Sequence, residues 1–441
     1  MSETRRSFIR KAGMGVAASI TLPVTFRMDR IANANDRLRV ALIGVNGRGS
    51  ALAQTFAKQK DTEVAYICDV DEHVRTKCIA SLKGLQQAVP GSIGDFRTIL
   101  DDKSLDAVVI ATPDHWHAPA TILACKAGKH VYVEKPCSHN PAEGEQMIQA
   151  AKKYGRLVQM GTQRRSWPTL AQGMNEMKAG AIGRVYFAKG WYTNERKSIG
   201  YGKEAPVPSW LNYDLWQGPA PRRPYKDNLI HYNWHWFWNW GTGEALNNGT
   251  HEIDLIRWGL GADYALRVNS AGGRYQFKDD WETPDTQVIT YDFPNNTSAM
   301  WEGRSCNRQP VEGRDRGVIF YGEQGSMSTG DNSYAIYDTQ GKLVKEVKSD
   351  RAVNGRDTTG PGEDLDALHV DNFLQTLRGN RQLTAPIETG FKSVLLCQLG
   401  NIAQRVERTL HIDSGNGHIL NDPEASKLWS REYEKGGEPT I

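Results

Sequence analysis

The residues most able to do chemistry begin at a turn. Gly44-Val45-Asn46-Gly47-Arg48-Gly49 follows an apolar run, Val40–Ile43, and precedes a helical pattern. In that setting a glycine-rich turn presents free helix N-terminal amides to a pyrophosphate. Gly44 makes the tight turn, and Gly49 lets the helix pack on the strand. Asn46 stands where the second glycine of G-x-G-x-x-G is usual, with Gly47 beside it and Arg48 next. Asparagine tolerates positive φ better than most residues, so the turn is expected to survive. Asp69 ends the next strand, twenty residues beyond Gly49. A carboxylate there accepts hydrogen bonds from ribose hydroxyls and repels a 2′-phosphate, which predicts NAD rather than NADP.

A second concentration of chemistry is aromatic. Eight of the thirteen tryptophans lie between residues 191 and 258. In Asn233-Trp234-His235-Trp236-Phe237-Trp238-Asn239-Trp240 the indoles alternate, which predicts an extended segment with four of them on one face. Four exposed indoles are an aggregation hazard, so most are expected to be covered by core or by a subunit contact. One or two suit the C–H face of a sugar ring, with Asn233, His235, Asn239, Asn247 and Asn248 supplying polar groups nearby. Trp236, His235 and Asn247 are the expected substrate contacts.

These groups need elements to position them. From Leu38 to about Met160 strand and helix patterns alternate: strands at 40–43, 64–68, 107–111, 131–134 and 157–160, helices at 50–60, 119–127 and 142–154. Ala107-Val108-Val109-Ile110-Ala111 is apolar throughout, as befits a strand covered on both faces. The alternation predicts an α/β Rossmann domain on a doubly wound parallel sheet. After about residue 165 the pattern turns to β-type segments at 185–191, 268–272, 286–293, 297–301 and 317–321. Helical periodicity returns at 364–378 and 390–408. That predicts an α+β second domain on a mainly antiparallel open sheet. The expected division is a leader at 1–34, a nucleotide domain at 35–160 and a substrate and oligomerisation domain at 161–441.

Two further motifs carry a resemblance. Ala111-Thr112-Pro113-Asp114-His115-Trp116-His117 follows the fourth strand, and Val133-Glu134-Lys135-Pro136 ends the fifth. With the glycine turn they resemble the Gfo/Idh/MocA oxidoreductases, which include glucose–fructose oxidoreductase and inositol dehydrogenases. The resemblance is specific over 39–136 and looser beyond. It implies that Thr112, Pro113, His117 and Glu134 lie by the cofactor and that Lys135 lies by the nicotinamide and the reacting carbinol. It also implies an acid/base histidine from a D-x-x-x-H motif in the second domain. Gly243-Glu244-Ala245-Leu246-Asn247-Asn248-Gly249-Thr250-His251 is the matching place, with His251 as the histidine and Asn247 where many members have aspartate. Asparagine can bond a sugar hydroxyl but cannot stabilise an imidazolium as a carboxylate does. Oxidising a secondary alcohol requires loss of the hydroxyl proton as hydride leaves the same carbon. Lys135 would stabilise the developing alkoxide, and His251 would take the proton. His115 reads as a loop residue.

The resemblance and the aromatic stretch together favour a sugar, glycoside or cyclic polyol as substrate. Two other readings stay open. One is a redox-neutral glycosidase or lyase working through transient oxidation at C3; such relatives commonly lack the E-K-P lysine. The other is a non-catalytic sugar-binding module, against which Lys135, His251 and Asp69 all stand. A homo-oligomer through the open face of the second sheet is likewise implied by the resemblance.

Composition narrows the setting. Hydrophobic content of 39% and charged content of 24% suit a water-soluble globular chain, and 441 residues suit two domains. No apolar run reaches the ~18 residues of a membrane span. Thr4-Arg5-Arg6-Ser7-Phe8-Ile9-Arg10 reads as a twin-arginine signal, followed by a weakly apolar stretch to Phe26 and a small-residue cleavage site at Ala32-Asn33-Ala34. Export machinery of that type would be a partner and the periplasm the destination. Removing residues 1–34 leaves 48 basic and 49 acidic residues, so the formal +3 gives no reason to expect nucleic acid. An exported dinucleotide enzyme has no free NAD pool around it, so it is expected to fold around NAD and hold it tightly. The six cysteines, Cys68, Cys78, Cys125, Cys137, Cys306 and Cys397, show no metal-binding spacing and are expected to be mostly buried thiols.

Overall fold

The structure is a computed structural model that describes residues 37–330, 332–349 and 363–441. The expected export signal lies outside those residues. Six strands form the first sheet: β1 (Leu38–Ile43), β2 (Thr62–Cys68), β3 (Gly91–Ile93), β4 (Ala107–Ile110), β5 (His130–Val133) and β6 (Val158–Met160). Their order is β3-β2-β1-β4-β5-β6, parallel throughout. Every residue of β4 is buried, and helices cover both faces, which is why its sequence shows no alternation. The strand order reverses between β1 and β4, so a crevice opens at their carboxyl ends.

Helices differ more from expectation than strands do. Glu72–Ser81 is a helix without a clear apolar stripe, with Cys78 its buried residue. A cap nucleates it: Asp71 accepts from the amides of His73 at 2.7 Å and Val74 at 3.3 Å. The helix expected from Pro119 begins instead at Asp114 and carries Pro119 in its second turn. Pro168–Lys178 and Gly249–Leu260 are further helices in a region expected to be mostly strands.

The second sheet has nine strands: β7 (Val185–Thr193), β8 (Arg267–Gly273), β9 (Thr286–Phe293), β10 (Thr297–Arg304), β11 (Arg316–Gly322), β12 (Gly325–Thr329), β13 (Ser333–Tyr337), β14 (Leu343–Lys348) and β15 (Leu410–His411). The order is β14-β13-β12-β11-β7-β10-β9-β8-β15, with β7 and β10 parallel and the other pairs antiparallel. Alternate residues of β10, Ala299, Trp301 and Gly303, are buried. Trp301 packs against the start of Gly249–Leu260, where a Cβ on Gly249 would lie 2.8 Å from the indole.

The chain then returns to the first domain. Helix Glu363–Leu377 places Val370, Phe373, Leu374 and Leu377 in the core formed by Leu52, Phe56 and Tyr132. Phe56, Tyr132 and Phe373 meet edge to face with centroids 5.8 to 6.5 Å apart. Burying four such side chains is worth about 1.5–3 kcal/mol each as an upper figure, so this helix is integral to the nucleotide domain's core. A cut at residue 160 therefore divides the chain but not the packing.

Residues 195–243 form a strap across the two sheets with a small core of their own, centred on Leu211, Tyr213, Trp216, Leu229, Phe237 and Trp240. The extended segment expected at 233–240 is instead a 3₁₀ turn at Asn233–Trp236 followed by a reversal. Gly241 permits the reversal, since a Cβ there would lie 2.5 Å from two carbonyl oxygens. The indoles consequently leave in different directions, and Trp234, Trp236 and Trp240 are all buried. Five of the six cysteines are buried free thiols, and Cys306 is half-buried.

Candidate functional site

One cleft collects most of the residues singled out above. At its first wall the glycine turn has the geometry a dinucleotide needs. Gly44 sits at φ +78°, where a Cβ would lie 2.6 Å from the Thr112 amide nitrogen. Gly49 lies under the turn, where a Cβ would overlap the Gly44 carbonyl oxygen at 1.8 Å. The other positive φ falls on Gly47, at +49°, and not on Asn46, so the asparagine needs no special conformation. Gly44, Asn46, Gly47 and Arg48 line the cleft, and Gly49 supports it from behind.

Asp69 ends β2 in the same cleft. It accepts from the Val45 amide at 2.7 Å and the Asp71 amide at 3.0 Å, and burial pushes its carboxyl up. Each oxygen retains acceptor capacity for a ribose hydroxyl. The glycine cradle, the helix N-terminus and this carboxylate together fit NAD. Arg48 departs from expectation. Its Nε donates to Glu134 at 2.8 Å and its other nitrogens grip Asp366. It clamps the turn to β5 and to helix Glu363–Leu377, with its charge already matched by two carboxylates rather than kept for phosphate.

The strap covers this end. The Asn212 amide donates to the Val70 carbonyl at 3.0 Å, and the Glu72 amide donates to the Trp210 carbonyl at 3.2 Å. The His231 ring lies 2.7 Å from Asp71, and Trp116 Nε1 donates to the Leu215 carbonyl at 3.0 Å. Leu215, Trp216, His231 and Trp234 thereby line the same cleft as Asp69 and Phe96.

The other end holds Lys135, Asn247 and His251. Lys135 follows β5, and its Nζ donates to the Asn247 carbonyl at 2.5 Å and side-chain Oδ1 at 3.3 Å. An ammonium has three N–H groups, so one remains for a substrate oxygen. Burial lowers the Lys135 pKa. The Asn247 amide is oriented from behind, with Nδ2 donating to Glu244 at 3.3 Å. Glu244 is buried and accepts from Arg196 at 2.6 Å and Ser305 at 3.1 Å. Burial pulls its carboxyl up, but Arg196 and its hydrogen bonds outweigh that and hold it below the usual range.

His251 lies in the first turn of Gly249–Leu260, 4% exposed, with no partner on Nδ1. Burial, then the charges of Arg316 and Lys135, hold its pKa well below 6.5, so the ring is neutral. The same helix carries Glu252 and Asp254, each already matched. Arg316 donates to Glu252 at 2.8 Å, and Arg165 holds Asp254 from two nitrogens.

The other histidines divide by their partners. His117 lines the cleft, and both its nitrogens face backbone carbonyls, Pro136 at 2.6 Å and Thr112 at 2.8 Å. It holds together the loops after β4 and β5. His115, expected in a loop, is fully buried inside a helix and bonds the Trp216 carbonyl at 2.8 Å; burial lowers its pKa to about 3. His235 lines the cleft, stacked 3.6 Å from Trp234, with its pKa lowered to about 3 by burial. Trp236, expected to meet substrate, does not line the cleft. It is 1% exposed and stacks on Trp281 at 3.9 Å. The 3₁₀ turn rotates it inward and brings Trp234 to the cleft instead. Thr112, Pro113 and Glu134 line the cleft as well.

Sequence reasoning missed Tyr232, Trp234, Gln163 and Glu244. Gln163 follows β6, and the rule that ligands gather at strand carboxyl ends was the signal for it. Among the described residues no group of three or more His, Cys, Asp or Glu could hold a metal ion, and no helix is long and apolar enough to cross a membrane.

Comparison with known proteins places this geometry. Residues 38–162 match the GFO_IDH_MocA family model, an oxidoreductase family with an NAD-binding Rossmann fold. Residues 191–435 match that family's C-terminal alpha/beta domain. A glycosyl hydrolase family 109 protein of Shewanella pealeana is 26% identical over 232 residues, 48% of this chain and 51% of that protein. The chain spans about half the length of the curated relatives it matches. Levoglucosan dehydrogenase, solved with NADH and levoglucosan, superposes with a TM-score of 0.67 at 19% identity, over 85% of this chain and 99% of the other. Aldose–aldose oxidoreductase from Caulobacter crescentus, complexed with glycerol, gives 0.65 at 19% identity, over 85% and 100%. At that identity the likeness is one of fold.

Proposed function

The chain belongs to the Gfo/Idh/MocA oxidoreductase family, and from that premise we propose that it transfers hydride between tightly held NAD and a secondary alcohol of a sugar, glycoside or cyclic polyol. The observation that carries this reading is the pairing of Lys135, with one N–H to spare, and a neutral, buried His251 in the cleft that holds the glycine turn. Bound NAD supplies the hydride acceptor. Lys135 Nζ holds the alcohol oxygen and stabilises negative charge developing on it. His251 takes the hydroxyl proton at a ring nitrogen. Glu244 and Asn247 hold the lysine in place. Asp69 favours NAD over NADP, and tighter binding of NADP in equilibrium dialysis would refute that.

The strap would favour retention of a dinucleotide, since contacts such as His231–Asp71 and Asn212–Val70 tie it to the end of the cleft that holds Asp69. A second carbonyl sugar would then discharge the hydride in place. The test uses protein purified with no nucleotide added. A panel of sugars and glycosides is titrated while near-UV absorbance reports reduced nicotinamide and NMR reports products. A lasting single-turnover rise, discharged by a second sugar, is the expected result. Glycoside cleavage without a lasting rise would favour a redox-neutral glycosidase, the reading that the relatives' glycosyl hydrolase name supports.

Two proposals concern setting. Residues 1–34 act as a twin-arginine signal cleaved near Ala34, delivering the folded enzyme to the periplasm. Replacing Arg5 and Arg6 by lysine should keep it in the cytoplasm. The enzyme assembles as a homo-oligomer through the open face of the nine-stranded sheet, and a monomer by light scattering would refute that.

A further inference from the structure

A second cavity, of about 550 Å³, shares no lining residue with the cleft. That size falls within the range of small-molecule sites. Residues 238–246 contribute to its wall, while the adjoining Asn247 lines the cleft. Five separate parts of the chain meet there: the loop after β5, the strap, the short helix Glu244–Asn247, helix Ile387–Val406 and the C-terminal segment.

The wall is electrically lopsided. Arg223, Arg405, Lys427 and Arg431 face a single lining carboxylate, Glu432. Glu282 pairs with Arg223 at 3.2 Å, and Glu143 pairs with Arg431 at 2.7 Å. Arg405 and Lys427 have no ion pair among the described residues. The Arg405 guanidinium lies instead 5.1 Å from the Trp238 ring centroid. Arg405 and Lys427 both stand at the solvent-exposed rim of the cavity, and the nearby Glu282 favours the charged form of Arg405.

The neutral part of the wall is also incomplete. Gln398 is 4% exposed, yet its Oε1 has no hydrogen-bond partner among the described residues. Buried amides without partners are rare in folded proteins and mark a place for water or ligand. Guanidinium and ammonium recognise a carboxylate, the indole offers an apolar surface, and the amide suits a hydroxyl. A bare inorganic anion would use only the first of these.

We propose that this cavity is a second binding site, taking an acidic sugar unit whose carboxylate pairs with Arg405 and Lys427 and whose ring meets Trp238. The proposal stands on this cavity alone and does not require the redox reading of the cleft. Calorimetric titration of the full chain with digalacturonate and with neutral galactobiose tests it. Digalacturonate should bind with a component that depends on Arg405, and galactobiose should show no such component. Arg405→Ala should weaken binding by about tenfold or more, given what a charged hydrogen bond is worth, with its melting temperature checked against the parent. Lys135→Ala should leave that binding unchanged. Failure of digalacturonate to bind would overturn the proposal. So would an equal Arg405-dependent component for the neutral sugar, equal displacement by inorganic sulfate, or sensitivity to Lys135→Ala without sensitivity to Arg405→Ala.

Discussion

The two ends of the cleft are built on opposite principles. Around Asp69 the polar groups are engaged within the protein: Asp69 holds two amides, Asp71 holds a helix cap and His231, and Arg48 is shared between Glu134 and Asp366. Around Lys135 capacity is left over, one N–H on the lysine and a neutral imidazole with no partner on Nδ1. The engaged end can hold a shape for a ligand without rearranging. The other end keeps in reserve the donor and the base that a proton transfer would consume, at the cost of leaving them buried and unsatisfied. Helix Gly249–Leu260 repeats the contrast over four residues, with His251 unpartnered and Glu252 and Asp254 matched by arginines.

The sharpest way to break this contrast is Lys135→Ala. Turnover should fall by roughly 10²–10⁴ while nucleotide content, measured by absorbance after denaturation, stays unchanged. Loss of nucleotide would mean that the two ends are not separate. His251→Gln should cost about 10² in turnover. In the parent, the pH profile of kcat should show an acid limb displaced below 6.5 and an alkaline limb displaced below 10.5, because burial lowers both pKa values. An acid limb at or above 6.5 would remove His251 as the base.

Glu244→Gln probes the coupling behind the lysine. It strands Arg196 beside a neutral amide and should cost about 3–5 kcal/mol of stability by thermal or denaturant unfolding. Turnover should fall less than in Lys135→Ala, because Asn247 keeps an amide partner.

The smallest effect concerns acid stability. His115 and His369 are fully buried with pKa values near 3 and 4, against 6.5 when unfolded. Between those values the unfolded chain binds protons that the native chain does not. Their contribution is therefore intact above 6.5 and falls as pH drops toward 4, by up to ~1.4 kcal/mol per pH unit per histidine. His115→Gln should flatten the decline of melting temperature between neutral and mildly acidic pH by one histidine's share. An unchanged slope would show that His115 titrates normally.

Much of the first domain was legible because its signals are local. A fully apolar run such as Ala107–Ile110 is a covered strand, and the glycine turn, Asp69 and the lysine after β5 follow from position along that alternation. The strap was not legible. Alternating indoles at 234–240 suggested an extended face, but Gly241 and the strap's own core wound them into a 3₁₀ turn and turned Trp236 inward. Helix Glu72–Ser81 escaped because its cap, rather than an apolar stripe, marks its start.

Sequence by itself determined the doubly wound sheet and the nucleotide turn, because periodicity and spacing act over a few residues; the expectation that Lys135 and His251 share a site came from the family resemblance. Tertiary structure alone decided that Glu363–Leu377 completes the first core, that Arg48 is a clamp, and that Trp234 rather than Trp236 reaches the cleft. An apolar stripe or a charge states only that it needs a partner. Which partner it finds depends on contacts up to 318 residues apart, as for Arg48 and Asp366, and those exist only once the chain has closed on itself.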